Sequence, residues 1–116
     1  MNADSMDIVF HALAHAGRRK IIDIVKSNPG SNVNDVCEHF DVSRIAVMKH
    51  INLLEEAGLI VSEKDGRARR LYFNVVPIQL IHDRWSDEFS GWWAGRLADI
   101  KYRVEKSAAN RDDETP

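Results

Sequence analysis

The sequence predicts a mostly α-helical domain carrying one small β-hairpin, and three observations lead there. Apolar residues recur at spacings of three and four through most of the 116 residues, the mark of amphipathic helices. Between residues 59 and 75 that period gives way to strand-forming runs on either side of Asp65-Gly66, a hairpin signal. The apolar fraction of 44% is enough for one small core and leaves little over for a second.

Taken in order, residues 6–27 read as two helices. Met6, Val9, Phe10 and Leu13 keep helical spacing, as do Ile21, Ile22 and Val25 after a break at Gly17. Asn28-Pro29-Gly30 stops the second helix. Ser31 or Asn32 caps a short third helix whose apolar side carries Val33, Val36, Cys37 and Phe40. Asp41-Val42 makes a tight turn, and Ser43 caps a fourth helix that runs to about Ala57 and stops at Gly58. Leu59-Ile60-Val61 and Leu71-Tyr72-Phe73-Asn74-Val75 form the hairpin. Pro77 then opens a long helix, in which Ile78, Ile81, Trp85, Phe89, Trp92 or Trp93, Leu97, Ile100 and Val104 hold one face. The expected organisation is a flexible N-terminus at 1–5, one domain at 6–105 and a disordered polar tail at 106–116. A short capped helix, a turn and a second capped helix form a helix-turn-helix, and a hairpin directly after it makes the winged variant.

Composition narrows the function. No run approaches the roughly 18 apolar residues of a membrane span, and Met1 to Asp7 lack the basic-then-apolar layout of a signal peptide. Cys37 is the single cysteine, so no internal disulfide forms, which suits a reducing cytoplasm. Neither a glycine-rich phosphate loop nor a Gly-x-Ser-x-Gly is present, so no enzymatic activity is expected. The net charge of −2 hides a segregation of charge. Lys64, Arg67, Arg69 and Arg70 crowd the hairpin against Asp65, while Asp112, Asp113 and Glu114 crowd the C-terminus.

At 100° per residue, Val47, Ile51, Leu54 and Gly58 share the inward face of the fourth helix, and Arg44, Ile45, Met48, Lys49 and Asn52 the opposite one. A major groove about 12 Å wide admits such a helix. Arg44 suits guanine, Asn52 suits adenine, Lys49 suits phosphate, and Ile45 or Met48 a thymine methyl. Ser43 sits at the helix start beside them. On the hairpin, basic residues also guard exposed strand edges, but three arginines in four positions exceed that need. Arg67 and Arg69 are assigned to phosphate or minor groove. Alternation turns Arg70 away from Arg69. The expected partner is double-stranded DNA; a winged-helix module that binds protein instead is the alternative.

Three stretches make the resemblance specific: Ala12-Leu13-Ala14-His15-Ala16-Gly17-Arg18-Arg19-Lys20-Ile21-Ile22, Val42-Ser43-Arg44-Ile45-Ala46-Val47-Met48-Lys49-His50-Ile51, and Leu54-Glu55-Glu56-Ala57-Gly58-Leu59-Ile60. Over about residues 6–105 the chain resembles the ArsR-type winged-helix repressors. The resemblance implies a homodimer that occupies an operator and leaves it on an inducing signal. It departs from the family at Met48, where a serine is usual, and at Ile45, where a proline is frequent. His50 matches a histidine common in the family; its place beside the inward face fits a hydrogen-bonded structural role better than a base contact.

The aromatic surplus of the last helix needs a partner, since each large ring removes about 150–250 Å² from water when buried. Packing over the first helix takes part of that surface. In the resembling family the first and last helices, here at about 6–15 and 78–105, build the dimer, which puts Phe10, Ile81, Trp85, Phe89 and Trp92 near the two-fold axis. Metals serve many relatives, yet no cofactor or metal is expected here. Cys37-x-His39 replaces a Cys-x-Cys pair, and residues two apart on a helix diverge. His82, beside Asp83, stands without further histidines, and His11 with His15 lacks a third ligand. A metal- or redox-sensing repressor built on Cys37 and these histidines is the remaining alternative. Cys37 itself reads as a small core residue.

Overall fold

The computed structural model describes residues 1–86 and 90–114. Its elements are α1 (Ala3–Leu13), α2 (Ala16–Ser27), α3 (Val33–Cys37), α4 (Arg44–Glu56), β1 (Ile60–Asp65), β2 (Ala68–Phe73), α5 (Val76–Trp85) and α6 (Ser90–Glu114). They fall into two compact units, Met1–His82 and Asp83–Pro116. The winged helix-turn-helix lies in the first.

That unit is built on one apolar core. Val25, Val36, Val47, Ile51, Leu54, Leu59 and Leu71 are fully buried, drawn from α2, α3, α4 and both edges of the hairpin. Burying each such side chain contributes about 1.5–3 kcal/mol, so four elements are held by a common set of contacts. Cys37, Phe40, Met48 and Ile81 pack half-buried against it.

The N-terminus departs from expectation. Where the sequence predicts a flexible lead, residues 3–5 form the first turn of α1: Asn2 caps it in a reciprocal box, its Oδ1 accepting from the Ser5 amide at 2.8 Å while Ser5 Oγ accepts from the Asn2 amide. Both orphan donors are thus satisfied locally. The break between the first two helices also lies earlier than Gly17. α2 starts at Ala16, capped by His15, whose Nδ1 accepts from the Gly17 amide at 3.0 Å. Gly17 has ordinary helical backbone; what it supplies is room, because a Cβ there would stand 3.1 Å from the His15 ring.

α1 closes on Ala14, a cap residue outside the left-handed region whose amide donates only to the His11 carbonyl, so its last carbonyls take further donors from elsewhere. Arg18 provides them while itself buried. Its Nε donates to the Ala12 carbonyl at 2.8 Å and its Nη2 to the His11 carbonyl at 3.0 Å. Arg19 reaches the Leu13 carbonyl at 2.7 Å. The remaining Arg18 nitrogen, Nη1, lies 3.3 Å from His50 Nδ1 on α4. Arginine has donors only, so His50 Nδ1 accepts and the ring is neutral with its proton on Nε2. The His15 ring lies tilted by 39° against the His50 ring, with centroids 4.6 Å apart. One guanidinium therefore joins the end of α1, the start of α2 and the middle of α4.

The second unit corrects two further expectations. The last helix is not continuous from 78 to 105: α5 closes at Trp85, Ser86 is not helical, and α6 opens at Ser90. Serine competes with helix hydrogen bonds through its own hydroxyl, and apolar spacing carries on across the break, so periodicity does not reveal it. The tail, expected to be disordered, is helical over its described part, where α6 runs to Glu114. Good helix formers such as Ala108 and Ala109, with the Asp99–Arg103 and Lys101–Glu105 pairs one turn apart, support it. Among the described residues no helix is long and apolar enough to cross a membrane.

Replacing Arg18 with Met removes the donors but keeps the bulk. It should lower unfolding free energy by about 3 kcal/mol, the scale for orphaning buried partners of a charged group, read by urea denaturation. The His50 pKa is lowered from 6.5, first by burial and then by His15 and Arg18. The unfolded chain therefore binds a proton near pH 6.5 that the folded chain still refuses. Stability should fall as pH drops through that window and be recovered as pH rises. Thermal melts across it should show the slope, and His50→Asn should flatten it.

Candidate nucleic-acid interface

The helix-turn-helix is set by its caps. Of the two candidates for α3, Asn32 is the cap: its Oδ1 accepts from the Asp35 amide at 2.8 Å and Asp35 Oδ2 accepts from the Asn32 amide at 3.0 Å. Ser31 is buried, its hydroxyl donating to the Asn28 carbonyl at 2.6 Å. Ser43 caps α4, its Oγ accepting from the Ala46 amide at 3.1 Å. Val47, Ile51 and Leu54 then point inward, all fully buried.

The outward face follows. Ile45 is 71% exposed, and Arg44, Lys49 and Asn52 are exposed as well. Met48 divides its surface, half-buried against the core yet open at the helix face. Arg44 Nη1 donates to Asn34 Oδ1 on α3. His50 lies on the flank, engaged by Arg18, which is the structural role read for it from the sequence.

In the wing, β1 and β2 are antiparallel with Asp65 opposite Ala68, so Gly66-Arg67 is a two-residue loop. Gly66 has φ +63° and Arg67 does not enter the left-handed region, as in a type II′ turn, whose first position favours glycine. The opposed pairs Ile60–Phe73, Ser62–Leu71 and Lys64–Arg69 share one face; Val61–Tyr72, Glu63–Arg70 and Asp65–Ala68 share the other. The first face turns toward the core and α4, since Ile60 and Leu71 are buried. Leu71 also bridges Ser31, donating to its carbonyl at 2.9 Å while the Gly30 amide donates to Leu71.

The arginines accordingly part company. Arg67, at the tip, is exposed. Arg69 pairs with Glu55 of α4. Arg70, on the opposite face, donates to the Gly30 carbonyl at 3.2 Å and lies 3.4 Å from Asp65. That separation of Arg69 from Arg70 follows the alternation read in the sequence. A concavity of about 360 Å³ lies where the motif meets the wing, lined by Asn32, Asn34, Arg44, Met48, Arg67 and Arg69 among others. It brings together four of the expected site residues; Ser43, Ile45, Lys49 and Asn52 lie outside its lining.

Sequence reasoning missed Asn34, Glu55, Arg18 and Lys20 as participants. Lys20 Nζ donates to the His39 carbonyl at 2.6 Å and sits 4.6 Å over the Phe40 ring, tying the end of α3 to α2. None of these carries a local motif; each acts on a residue 10 or more positions away. Among the described residues no group of three or more His, Cys, Asp or Glu is placed to hold a metal ion. Of the residues assigned to a dimer, Phe10, Trp85 and Trp92 are exposed, Ile81 packs half-buried on the core, and Phe89 lies outside the described residues.

Comparison with known proteins agrees with this geometry. A profile described as winged helix-turn-helix DNA-binding matches residues 18–61, which run from Arg18 through α4 into β1. The chain is 31% identical over 74 residues to the transcriptional repressor SdpR of Bacillus subtilis, covering 64% of this chain and 81% of that protein. It is 32% identical to the HTH-type transcriptional regulator YuzN of the same organism, covering 68% and 92%. Among solved structures, an ArsR-like transcriptional regulator from Rhodococcus sp. RHA1 superposes with a TM-score of 0.66 at 28% identity, covering 89% of this chain and 93% of that one. Motif, wing and relatives together place the chain in the ArsR-type winged helix-turn-helix family of DNA-binding transcriptional regulators.

Proposed function

We propose that the protein is a cytoplasmic, dimeric repressor that holds duplex DNA through α4 in the major groove and the wing on the adjoining backbone, and that an inducing signal releases it. The observation carrying this reading is the shared concavity: the first turn of α4, through Arg44, and the wing tip, through Arg67, open on one surface. A duplex laid on that surface meets a helix of groove width and a cation beyond its end. On such a duplex, Arg44 and Asn52 read base edges, Ile45 and Met48 offer methyl contacts, and Ser43, Lys49 and Arg67 hold phosphate.

The dimer rests on unpartnered apolar area. Trp93, Leu97, Ile100 and Val104 recur at helical spacing on α6, exposed by 48–63%. Phe10 in the first unit, and Trp85 and Trp92 in the second, are further large apolar side chains left exposed, and exposed apolar faces of this kind mark interfaces. A two-fold pairing of such faces spaces two recognition helices by about 34–36 Å, one turn of DNA. Repression is the activity that the name of the SdpR relative carries.

Fluorescence anisotropy with labelled duplex at low salt tests the reading. The wild-type protein should bind, with affinity falling steeply as salt rises, by a log–log slope of about 0.9 per phosphate neutralised. Arg67→Glu should weaken binding by about 100-fold or more, the loss of one contact plus a new repulsion on each wing of a dimer. Absence of binding by the wild-type protein at low salt defeats the proposal. Leu97→Glu with Ile100→Glu should shift sedimentation to the monomer and weaken DNA binding in parallel; a sedimentation coefficient already monomeric in the wild type refutes the dimer.

A further inference from the structure

We propose that Glu55 is a positioning residue for DNA recognition: its ion pair with Arg69 is a strut that fixes the wing's angle to α4, and Arg69 acts through Glu55 instead of touching phosphate. The inference deepens the DNA-binding reading and rests on it.

Four observations carry it. Glu55 and Glu56 close α4, where the negative end of the helix dipole disfavours carboxylates. Glu56 lies in solvent, but Glu55 Oε1 is buried and, apart from the Arg69 cation, no donor meets it among the described residues. Arg69 Nη2 is the cation against that oxygen, with the two side chains only 30% and 25% exposed. The charge at this helix end is therefore tolerable because of Arg69, and Arg69 is committed there.

The second observation is where the wing loses its hold on the core. The α4-facing pairs run Ile60–Phe73, Ser62–Leu71, then Lys64–Arg69. Burial ends at Leu71, so the outer wing is attached to α4 through Arg69. Lys64, directly opposite Arg69, adds a like charge that Glu55 helps to offset.

Third, the Glu55 carboxylate takes up the charge of Arg69 Nη2, so a phosphate contact by Arg69 either shares its guanidinium or breaks the pair and leaves a carboxylate with a buried oxygen facing the DNA backbone. Fourth, Arg67 meets neither condition: it is exposed at the turn, and no hydrogen bond or ion pair engages it among the described residues. The two arginines divide the work, one holding the wing and one contacting the ligand.

The probe is a duplex selected from a random library by the wild-type protein, and binding is measured by anisotropy over a series of salt concentrations. Glu55→Gln and Arg69→Gln should each weaken binding by about tenfold, and the double variant should lose no more than the worse single, as coupled partners do. Both should keep the wild-type salt slope, whereas Arg67→Gln should lower it by about 0.9 per wing. In parallel, the backbone order parameter of Gly66 in the DNA-free protein should fall in Glu55→Gln. Tighter binding by Glu55→Gln, which would mean that Arg69 had been released to phosphate, overturns the strut. So does a reduced slope in Arg69→Gln. If the wild-type protein selects no duplex, the DNA-binding reading fails by itself. The Gly66 order parameter then decides the strut alone, and an unchanged value overturns it.

Discussion

A buried guanidinium governs how the helices of this protein meet. Charges are rarely taken out of water unless they find hydrogen-bond partners, and Arg18 gives each of its three guanidinium nitrogens an acceptor drawn from separate elements. Two are carbonyls in the last turn of α1, and the third is a ring nitrogen on α4. The planar fork matters, because its nitrogens diverge at fixed angles; a lysine ammonium, a compact point charge on a flexible stem, imposes no such geometry. Through this group the roll of α4 about its own axis is referred to the end of α1. His15 and the missing side chain of Gly17 make room for the arrangement.

Strand β2 plays the corresponding part for the wing. Its alternation hands successive residues to different neighbours: Leu71 to the core and to Ser31, Arg70 to the Gly30 carbonyl, Arg69 to Glu55. Three consecutive side chains thus attach the hairpin to both flanks of the helix-turn-helix. A two-stranded ribbon is marginal by itself, and these attachments are what make it a surface of defined shape. The wing's basic character therefore serves the protein's own geometry at Arg69 and Arg70 as much as any ligand.

Most of the fold was legible because its signals are local. Val47, Ile51 and Leu54 announce the inner face of α4, Gly58 its stop, and Asp65-Gly66 the turn of the wing. The outer face of α4 was legible for the same reason, as the complement of the buried one. What escaped was of two kinds. Ser86 interrupts a helix whose apolar rhythm continues on both sides, and Asn2 with Ser5 caps a helix that periodicity alone starts later. The second kind is long-range pairing: Arg18 with His50, Arg44 with Asn34, Arg69 with Glu55. Charged residues on a linear chain look alike whether they face water or one another, and only folding decides between them.

The register of the hairpin also sets how the wing can change length. Positions on β2 are counted outward from Leu71, whose place the core and Ser31 fix. Residues added at the Gly66-Arg67 turn extend the ribbon and leave Arg69 and Arg70 where they are. A single residue added between Arg70 and Leu71 reverses the faces beyond it. Arg70 then arrives at the position facing Glu55, and the contact to Gly30 is lost. Insertions and deletions are accordingly absorbed at the tip and penalised at the root, so the reach of the wing can drift over evolutionary time while its attachment stays fixed.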